Sequence, residues 1–285
     1  GMVSFHTLCP MRHLKPALYV FALNVIISIY LQLNNVLLGF MKDTEAVGYF
    51  TAATKIMVIT MSISSALGAV IMPRTSNLIA EERMDEFKAL VQKSYDFIFA
   101  LAMPLMVGLI FTSPSAVLLL SGEGFVPAIL TSQIVAFNIL TVGLSGVMGI
   151  QVLYPLGKIN IVILCTSIGA IINVFLNVLL IPRYGHNGTA VAYMLAEMTV
   201  TVSMFFIGKR YIPIRFLKRQ HLNYVLGSVV MGVCLYFISW LGLGNTATLV
   251  MMISMGGIVY VVILLFLRDS IGMIPWKILR EKFGK

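Results

Sequence analysis

Charged residues are scarce in this 285-residue chain, since Asp, Glu, Lys and Arg together make up only 11% of it. A soluble globular protein carries about 25% of these residues. Hydrophobic residues make up 59% of the chain, which leaves too little polar surface to cover a water-soluble particle. The composition therefore excludes an ordinary soluble domain and indicates a membrane protein.

Cysteines and the common cofactor motifs are also nearly missing. The three cysteines, Cys9, Cys165 and Cys234, lie far apart, so we expect small buried residues and neither a disulfide framework nor a metal site. The chain has no P-loop, GxGxxG or HExxH motif and no polar stretch long enough for a soluble domain. We predict no cofactor and no appended ATPase or glycosyltransferase domain.

Long apolar runs are what the chain does have. Runs of about 20 apolar residues are long enough to cross a bilayer as helices, and continuous runs differ from the alternating pattern of barrel strands. We therefore predict an all-α fold, a polytopic membrane helix bundle of about eight transmembrane helices, at 17–38, 47–72, 95–112, 128–150, 159–181, 188–207, 222–242 and 246–267.

The basic residues are distributed unevenly between the predicted loops. Of the 20 Lys and Arg residues, seventeen lie in the termini and in alternate loops, whereas only Lys42 and Arg183 lie in the other set. This bias predicts that both termini are cytoplasmic. It also explains the net charge of +9 by membrane topology and by contact with lipid headgroups, so the charge does not indicate nucleic-acid binding.

The predicted organisation has four parts: a cytoplasmic N-terminal segment at 1–16, a six-helix transmembrane lobe at 17–207, an additional helix pair at 208–268 and a cytoplasmic amphipathic tail at 269–285. Pro73 is expected to end the second span, and 73–93 to form an amphipathic helix at the membrane interface. Asn187-Gly188 predicts a loop before the sixth span.

Polar residues recur at helical spacing inside several spans. Polar groups in hydrocarbon are costly and usually face a bundle interior or a water-filled cavity. Hydrogen bonding between helices explains such residues singly, whereas several stripes together suggest one polar translocation cavity. The candidates for its lining are Asn24, Gln32, Asn35, Thr51, Lys55, Asn138, Asn173, Asn177 and Glu197, with Arg74 at the mouth.

Lys55 and Glu197 are the sharpest candidates because both are ionisable residues inside spans. Lys55 lies about 13 Å deep at 1.5 Å per residue. One interpretation is a structural ion pair between the two. The other is that Lys55 attracts an anionic headgroup while Glu197 binds a proton or cation, or orients the lysine. Arg74 either meets a phosphate or serves as an ordinary cytoplasmic anchor.

Four stretches carry a resemblance to a known family. They are HLKPALYVFALNVIISIYLQLNNVLLG (13–39), AVGYFTAATKI running on to IMPRTSNLIAEERMDEF (46–87), LLLSGEGFVPA (118–128) and NVFLNVLLIPRYGHNGTAVAYMLAE (173–197). In this order and spacing the chain resembles the second half of the polysaccharide-biosynthesis flippases, the oligosaccharide-lipid branch of the multidrug/oligosaccharidyl-lipid/polysaccharide exporter superfamily.

The resemblance implies a transporter and not an enzyme. Such proteins have two helical lobes around a central cavity and flip a polyprenyl-pyrophosphate-linked oligosaccharide by alternating access, for surface polysaccharides such as O-antigen or capsule. Lys55 falls at the family's basic or polar position, and Glu197 at its recurrent acid. The expected location is the bacterial cytoplasmic (inner) membrane. We expect this chain to be the C-terminal lobe, partnered by an N-terminal lobe or a second copy, and by other polysaccharide assembly proteins.

Three alternatives stay open. The first is a multidrug or lipid II exporter of the same superfamily. The second is a membrane-embedded polysaccharide polymerase or glycosyltransferase, which would need a large outer loop rich in acids, arginines or histidines; the outer loops here are short. The third is a helper or scaffold that transports nothing.

Overall fold

The computed structural model describes residues 14, 18, 21, 25, 28, 32–211, 214–215 and 218–267, with the side chains of 63–67 and 69 left out. Within these ranges the chain is helical and contains no strand, so the predicted all-α fold is confirmed. The helices are α1 (32–41), α2 (Thr44–Ala80), α3 (Met84–Ser121), α4 (Ala128–Val135), α5 (Phe137–Gly146), α6 (Ile159–Gly208), α7 (Arg219–Ser239) and α8 (Asn245–Phe266).

Five helical segments of the described chain are long and apolar enough to cross a membrane: Met84–Ser121, Ala128–Leu153, Ile159–Gly208, Arg219–Ser239 and Asn245–Phe266. The second of these joins α4, α5 and a π-helix at Val147–Leu153. These five segments, together with α1, α2 and the reversal that divides α6 into two arms, fit the predicted number of about eight membrane helices. The predicted first span, 17–38, and the predicted N-terminal segment, 1–16, lie largely outside the described residues, and the predicted tail, 269–285, lies wholly outside them.

The long helix α6 is a helical hairpin that reverses at Gly185. This glycine has φ +53° and ψ −133°, a conformation open to glycine and strained for other residues. A Cβ at Gly188 would lie 2.6 Å from the carbonyl oxygen of Leu180, and one at Gly169 would lie 2.2 Å from Val200. These two contacts match antiparallel packing of residues 159–184 on residues 186–208. The predicted spans 159–181 and 188–207 are therefore two arms of one hairpin.

The predicted interfacial helix at 73–93 is wrong. Helix α2 continues through Pro73 to Ala80, a short turn follows, and α3 begins at Met84. Proline is tolerated inside transmembrane helices because neighbouring groups satisfy the freed backbone. The turn is held by Arg83, whose guanidinium donates to Glu81 at 2.8 Å and to Glu86 at 2.7 and 2.8 Å. The predicted loop at Asn187-Gly188 is likewise helical.

Helix α3 is the centre of the bundle, since it packs against α2, α4, α5, α7 and α8. The short connections make successive helices antiparallel. One end of the bundle therefore carries the turn after Ala80, residues 154–158 and residues 209–211, 214–215 and 218, and most of these segments contain lysine or arginine. We call this the basic end.

The pair α7–α8 is fastened to α3 by polar contacts. At the basic end the carboxylate of Asp96 accepts hydrogen bonds from Nζ of Lys218 at 2.6 Å and from Nε2 of His221 at 3.0 Å. Farther along, the hydroxyl of Tyr260 donates to the carbonyl of Ala100 at 2.6 Å. Asp96 and His221 are buried, so these bonds fix where α7 and α8 stand against the lobe.

Candidate functional site

A polar pocket of about 380 Å³ lies between α1, α2 and the second arm of α6. Its apolar wall consists of Phe50, Met57, Val58 and Ile59. Phe50 meets the second arm edge-on through the ring of Tyr193, with 6.5 Å between the centroids. The polar side chains that line it are those of Gln32, Asn34, Asn35, Thr54, Lys55 and Tyr193.

Lys55 is the cation of this pocket. It is exposed on α2, and it forms no ion pair within the described chain, where all ion pairs involve Arg83, Lys88, Lys218 or His221. The predicted structural pair between Lys55 and Glu197 is therefore not formed. An ammonium group at the wall of a partly apolar pocket attracts an anion more strongly than it would in bulk water.

Three asparagines join the pocket to the first arm of α6. Nδ2 of Asn177 donates to Oδ1 of Asn34 at 2.8 Å, and to the carbonyl and the side-chain oxygen of Asn173 at 3.0 and 3.1 Å. All three residues are buried. Asn34 therefore belongs both to the pocket wall and to the contact that holds α1 on the hairpin.

The other predicted site residues are spread over the lobe. Thr51 contacts the pocket indirectly, because its hydroxyl donates to Oδ1 of Asn35 at 3.4 Å. Glu197 is half-buried one turn beyond Tyr193 and does not line the pocket.

Two further predicted residues, Asn138 and Arg74, lie away from the pocket. Asn138 is fully buried on α5, and neither of its side-chain polar atoms has a hydrogen-bond partner in the described part of the chain. Arg74 is exposed on α2, roughly 28 Å along the helix from Lys55. Asn24 lies outside the described residues.

The polar stripes in the sequence did not identify two residues, Asn34 and Asp96. Asn34 escaped because it is adjacent in sequence to Asn35, and neighbours on a helix point in different directions. Asp96 escaped because its partners Lys218 and His221 are more than 120 positions away. The sequence does contain one signal for Asp96: it is an acidic residue at the edge of an apolar run, where an acid usually has a partner.

An apolar groove of about 640 Å³ lies beside the pocket, between α3, α7 and α8. Its α3 wall extends from Phe97 to Thr112, which is roughly 22 Å at 1.5 Å per residue. Small residues on this face, Gly108 on α3 and Gly256 and Gly257 on α8, keep it open. Helices α7 and α8 form the opposite wall, and Asp96 and Ala100 bind them to α3.

The pocket and the groove adjoin at one residue. Ile59 on α2 lines both, and Lys55 stands one turn before it on the pocket side. The lobe therefore offers, side by side, a cationic polar cavity and a long apolar channel. That combination suits an amphiphile with an anionic head and an apolar tail. No group of three or more His, Cys, Asp or Glu residues placed to hold a metal occurs in the described part of the chain.

Comparisons with known proteins show which proteins this chain resembles. A family model described as "Polysaccharide biosynthesis protein" matches residues 4–130. The probable low-salt glycan biosynthesis flippase Agl15 of Haloferax volcanii is 24% identical over 237 residues, which cover 83% of this chain and 50% of that protein. The uncharacterized membrane protein MJ1068 of Methanocaldococcus jannaschii is 21% identical over 173 residues, or 61% of this chain and 34% of that protein.

Two solved structures share the fold. The lipid II flippase MurJ in an inward closed conformation superposes with a TM-score of 0.76 at 17% identity, covering 91% of this chain and 56% of that one. A MOP superfamily transporter from Pyrococcus furiosus superposes with a TM-score of 0.60 at 16% identity, covering 86% and 60%. The chain thus spans about half the length of the proteins that it matches.

Proposed function

From the support for the polysaccharide-biosynthesis flippase family, we propose that this chain forms one helical lobe of a flippase that moves a polyprenyl-pyrophosphate-linked oligosaccharide across the cytoplasmic membrane. The observation that carries the proposal is the junction at Ile59, where the pocket with Lys55 meets the apolar groove. The substrate has the matching three parts: a polar sugar, an anionic pyrophosphate and an apolar prenyl chain.

Each part of the substrate has a place in this arrangement. The pyrophosphate lies against Lys55, whose ammonium group has no carboxylate partner in the described chain. The sugar faces the amides of Gln32 and Asn35, which supply both donors and acceptors. The prenyl chain lies in the groove between α3 and α7–α8 and stays out of water.

A second helical lobe completes the cavity. Gln32 and Lys55 are exposed in this lobe, and charged or polar groups at membrane depth face protein or a water-filled cavity and not lipid. The second lobe comes from the same polypeptide or from another copy. Rocking of one lobe against the other then opens the pocket alternately to the two sides, as in other transporters built from paired repeats.

The role of Lys55 is tested by transport of a fluorescent lipid-linked oligosaccharide in proteoliposomes made with the full-length protein. We expect Lys55→Ala to slow transport roughly 10- to 100-fold, since a hydrogen bond to a charged group contributes about 1.5–3 kcal/mol. Lys55→Arg should keep a substantial part of the rate. Lys42→Ala, which removes an exposed lysine outside the pocket, is the matched control and should leave transport unchanged.

The same assay separates a role in substrate binding from a role in folding. A neutral prenyl glycoside without phosphate should be moved equally by the native protein and by Lys55→Ala. Equal slowing of both substrates would contradict the assignment of Lys55 to the pyrophosphate. Full activity of Lys55→Ala with the natural substrate would remove the pocket from the mechanism.

Alternating access has its own test. In a protein whose three native cysteines are replaced, a cysteine at Gln32 should react with a membrane-impermeant maleimide from either side of the membrane. Addition of the substrate should change the ratio of the two rates. Reaction from one side only, with and without substrate, would contradict alternating access.

A further inference from the structure

A second cationic surface lies at the basic end, far from the pocket. Lys158, at the start of α6, and Lys209 and Arg210, at its end, are all exposed. Nζ of Lys158 lies 5.6 Å from the ring centroid of Tyr211, which brings the two ends of the hairpin together. Nζ of Lys209 lies 4.9 Å from the ring centroid of Phe206. We call these five residues the basic seam.

The seam is held in place by close packing. Gly157 turns the chain with φ +69° between the π-helix and α6. A Cβ at Gly208 would lie 2.1 Å from Cε of Met148, so the end of α6 rests directly on the π-helix. The backbone segments that carry Lys158 and Lys209 therefore adjoin, although the two lysines are separated by about 50 positions in the sequence.

The cations of the seam lack the carboxylates that neutralise others at the same end. Arg83 pairs with Glu81 and Glu86, and Lys88 pairs with Asp85. None of the three seam cations has a carboxylate within 4.0 Å in the described part of the chain. Helix electrostatics do not explain Lys158, which is the N-cap residue of α6, where the macrodipole disfavours a cation.

An apolar stripe leads from the seam along the second arm of α6. Leu195, Met198, Val202 and Phe206 are exposed at spacings of three and four residues, so they share one face of the helix. The surface is thus an unneutralised cationic cluster above a strip of exposed apolar side chains. Phospholipids of the adjoining leaflet have the complementary shape, with an anionic phosphate above acyl chains.

We propose that the basic seam binds the phosphate of an anionic phospholipid, with the acyl chains along the stripe that ends at Phe206. The positive-inside bias places this lipid in the cytoplasmic leaflet. The lipid phosphate bridges Lys158 and Lys209 and so joins the π-helix segment to the end of α6. This inference does not depend on the flippase substrate, because the seam and the pocket lie at different places on the lobe.

The test measures lipid retained by the full chain in nanodiscs of phosphatidylcholine with and without phosphatidylglycerol. We expect the native protein to bind phosphatidylglycerol preferentially and to gain thermal stability from it. In Lys158→Gln/Lys209→Gln this preference should fall roughly 10- to 30-fold, since each lysine near an anionic surface contributes about 1 kcal/mol. Arg83→Gln/Lys88→Gln removes the same charge from carboxylate-paired positions and should keep the preference.

Three results would overturn the proposal. The first is undiminished phosphatidylglycerol binding by Lys158→Gln/Lys209→Gln. The second is an equal loss in Arg83→Gln/Lys88→Gln, which would mean a diffuse response to net charge. The third is equal stabilisation by soluble glycerol phosphate, which would mean a phosphate site without a lipid. The variant Lys158→Arg/Lys209→Arg keeps both charges and should retain the preference for phosphatidylglycerol. It therefore shows that misfolding is not the cause of the loss in Lys158→Gln/Lys209→Gln.

Discussion

Nζ of Lys218 lies 2.6 Å from Oδ2 of Asp96, across 122 positions of sequence. His221 completes the cluster, and its surroundings fix its tautomer. Nδ1 accepts from the backbone N–H of Lys218 at 3.2 Å, so Nε2 carries the proton and donates to Oδ1 of Asp96 at 3.0 Å. The imidazole is stacked on Phe99 with 4.8 Å between the ring centroids. One acid on α3 thus accepts hydrogen bonds from two side chains at the start of α7.

Removal of this acid should loosen α7–α8 and leave the rest of the bundle folded. We expect Asp96→Asn to lower the free energy of unfolding by roughly 2 kcal/mol, because a charge-assisted bond to Lys218 is lost in a largely buried place. Hydrogen exchange should rise in 219–239 and 245–266. Asp85→Asn breaks the exposed pair with Lys88 and should change stability little. Equal effects of the two substitutions would contradict the anchoring role of Asp96.

Close packing at the reversal of α6 predicts that one added methyl group lowers the stability of the protein strongly. In Gly188→Ala the new Cβ would meet the backbone oxygen of Leu180 at 2.6 Å, and a backbone atom cannot move aside as a side chain does. We expect a loss of roughly 3 kcal/mol in unfolding free energy. Gly146→Ala is the control, since nothing lies within 4 Å of its Cβ position. That variant should be neutral or more stable by about 0.5–1 kcal/mol. Urea unfolding in detergent measures both.

The asparagine contact between α1 and α6 can be measured by a double-mutant cycle. Asn34→Ala, Asn177→Ala and the double variant should give a coupling energy of about 1–2 kcal/mol, because each single change removes one partner of a buried hydrogen bond. The cycle of Thr51 and Asn35 is the matched comparison, since their bond is 3.4 Å long and only partly buried. A larger coupling for the second pair would show that Asn34 and Asn177 are not what holds α1.

The groove predicts a graded effect of side-chain volume at one position. Gly108 lines the groove, and nothing in the described part of the chain lies within 4 Å of its Cβ position, so a Cβ fits there and a larger side chain would extend into the channel. Transport of a long-chain prenyl substrate should fall from the native protein to Gly108→Ala and further to Gly108→Leu, while thermal stability stays the same or rises. Unchanged transport by Gly108→Leu would mean that the prenyl chain lies elsewhere.

Hydropathy predicts the number and order of the helices because each span has to be apolar over its own length. It does not predict where helices end outside the bilayer. Residues 84–94 mix charged and apolar side chains, so hydropathy separates them from the third span, yet they continue the same helix α3. The loop signal at Asn187-Gly188 predicts that the chain reverses between the fifth and sixth spans, but it does not predict that the turn takes only one non-helical residue, Gly185.

Helical spacing places Gln32, Asn35 and Lys55 on faces that meet in the pocket. It does not decide which polar residues pair across helices. Glu197 lies one turn beyond the pocket residue Tyr193, yet it does not line the pocket and forms no ion pair with Lys55 in the described part of the chain. Asn34 and Asp96 depend on partners more than 100 positions away, and a periodicity along one helix contains no information about such partners.

The Asp96 cluster also sets the order in which helices dock during synthesis. At synthesis rates of roughly 5–20 residues per second, the ribosome needs about 6–24 s to proceed from Asp96 to Lys218. Until Lys218 has been made, the partner that the described chain offers to this acid is Gln92, one turn before it, whose side-chain amide lies 2.8 Å from Oδ1 in the folded structure. The pair α7–α8 therefore docks on α3 after α3 has entered the membrane, and the acid neutralises Lys218 when it arrives. A nascent chain stopped before α7 would hold an open groove wall and a carboxylate without its cation.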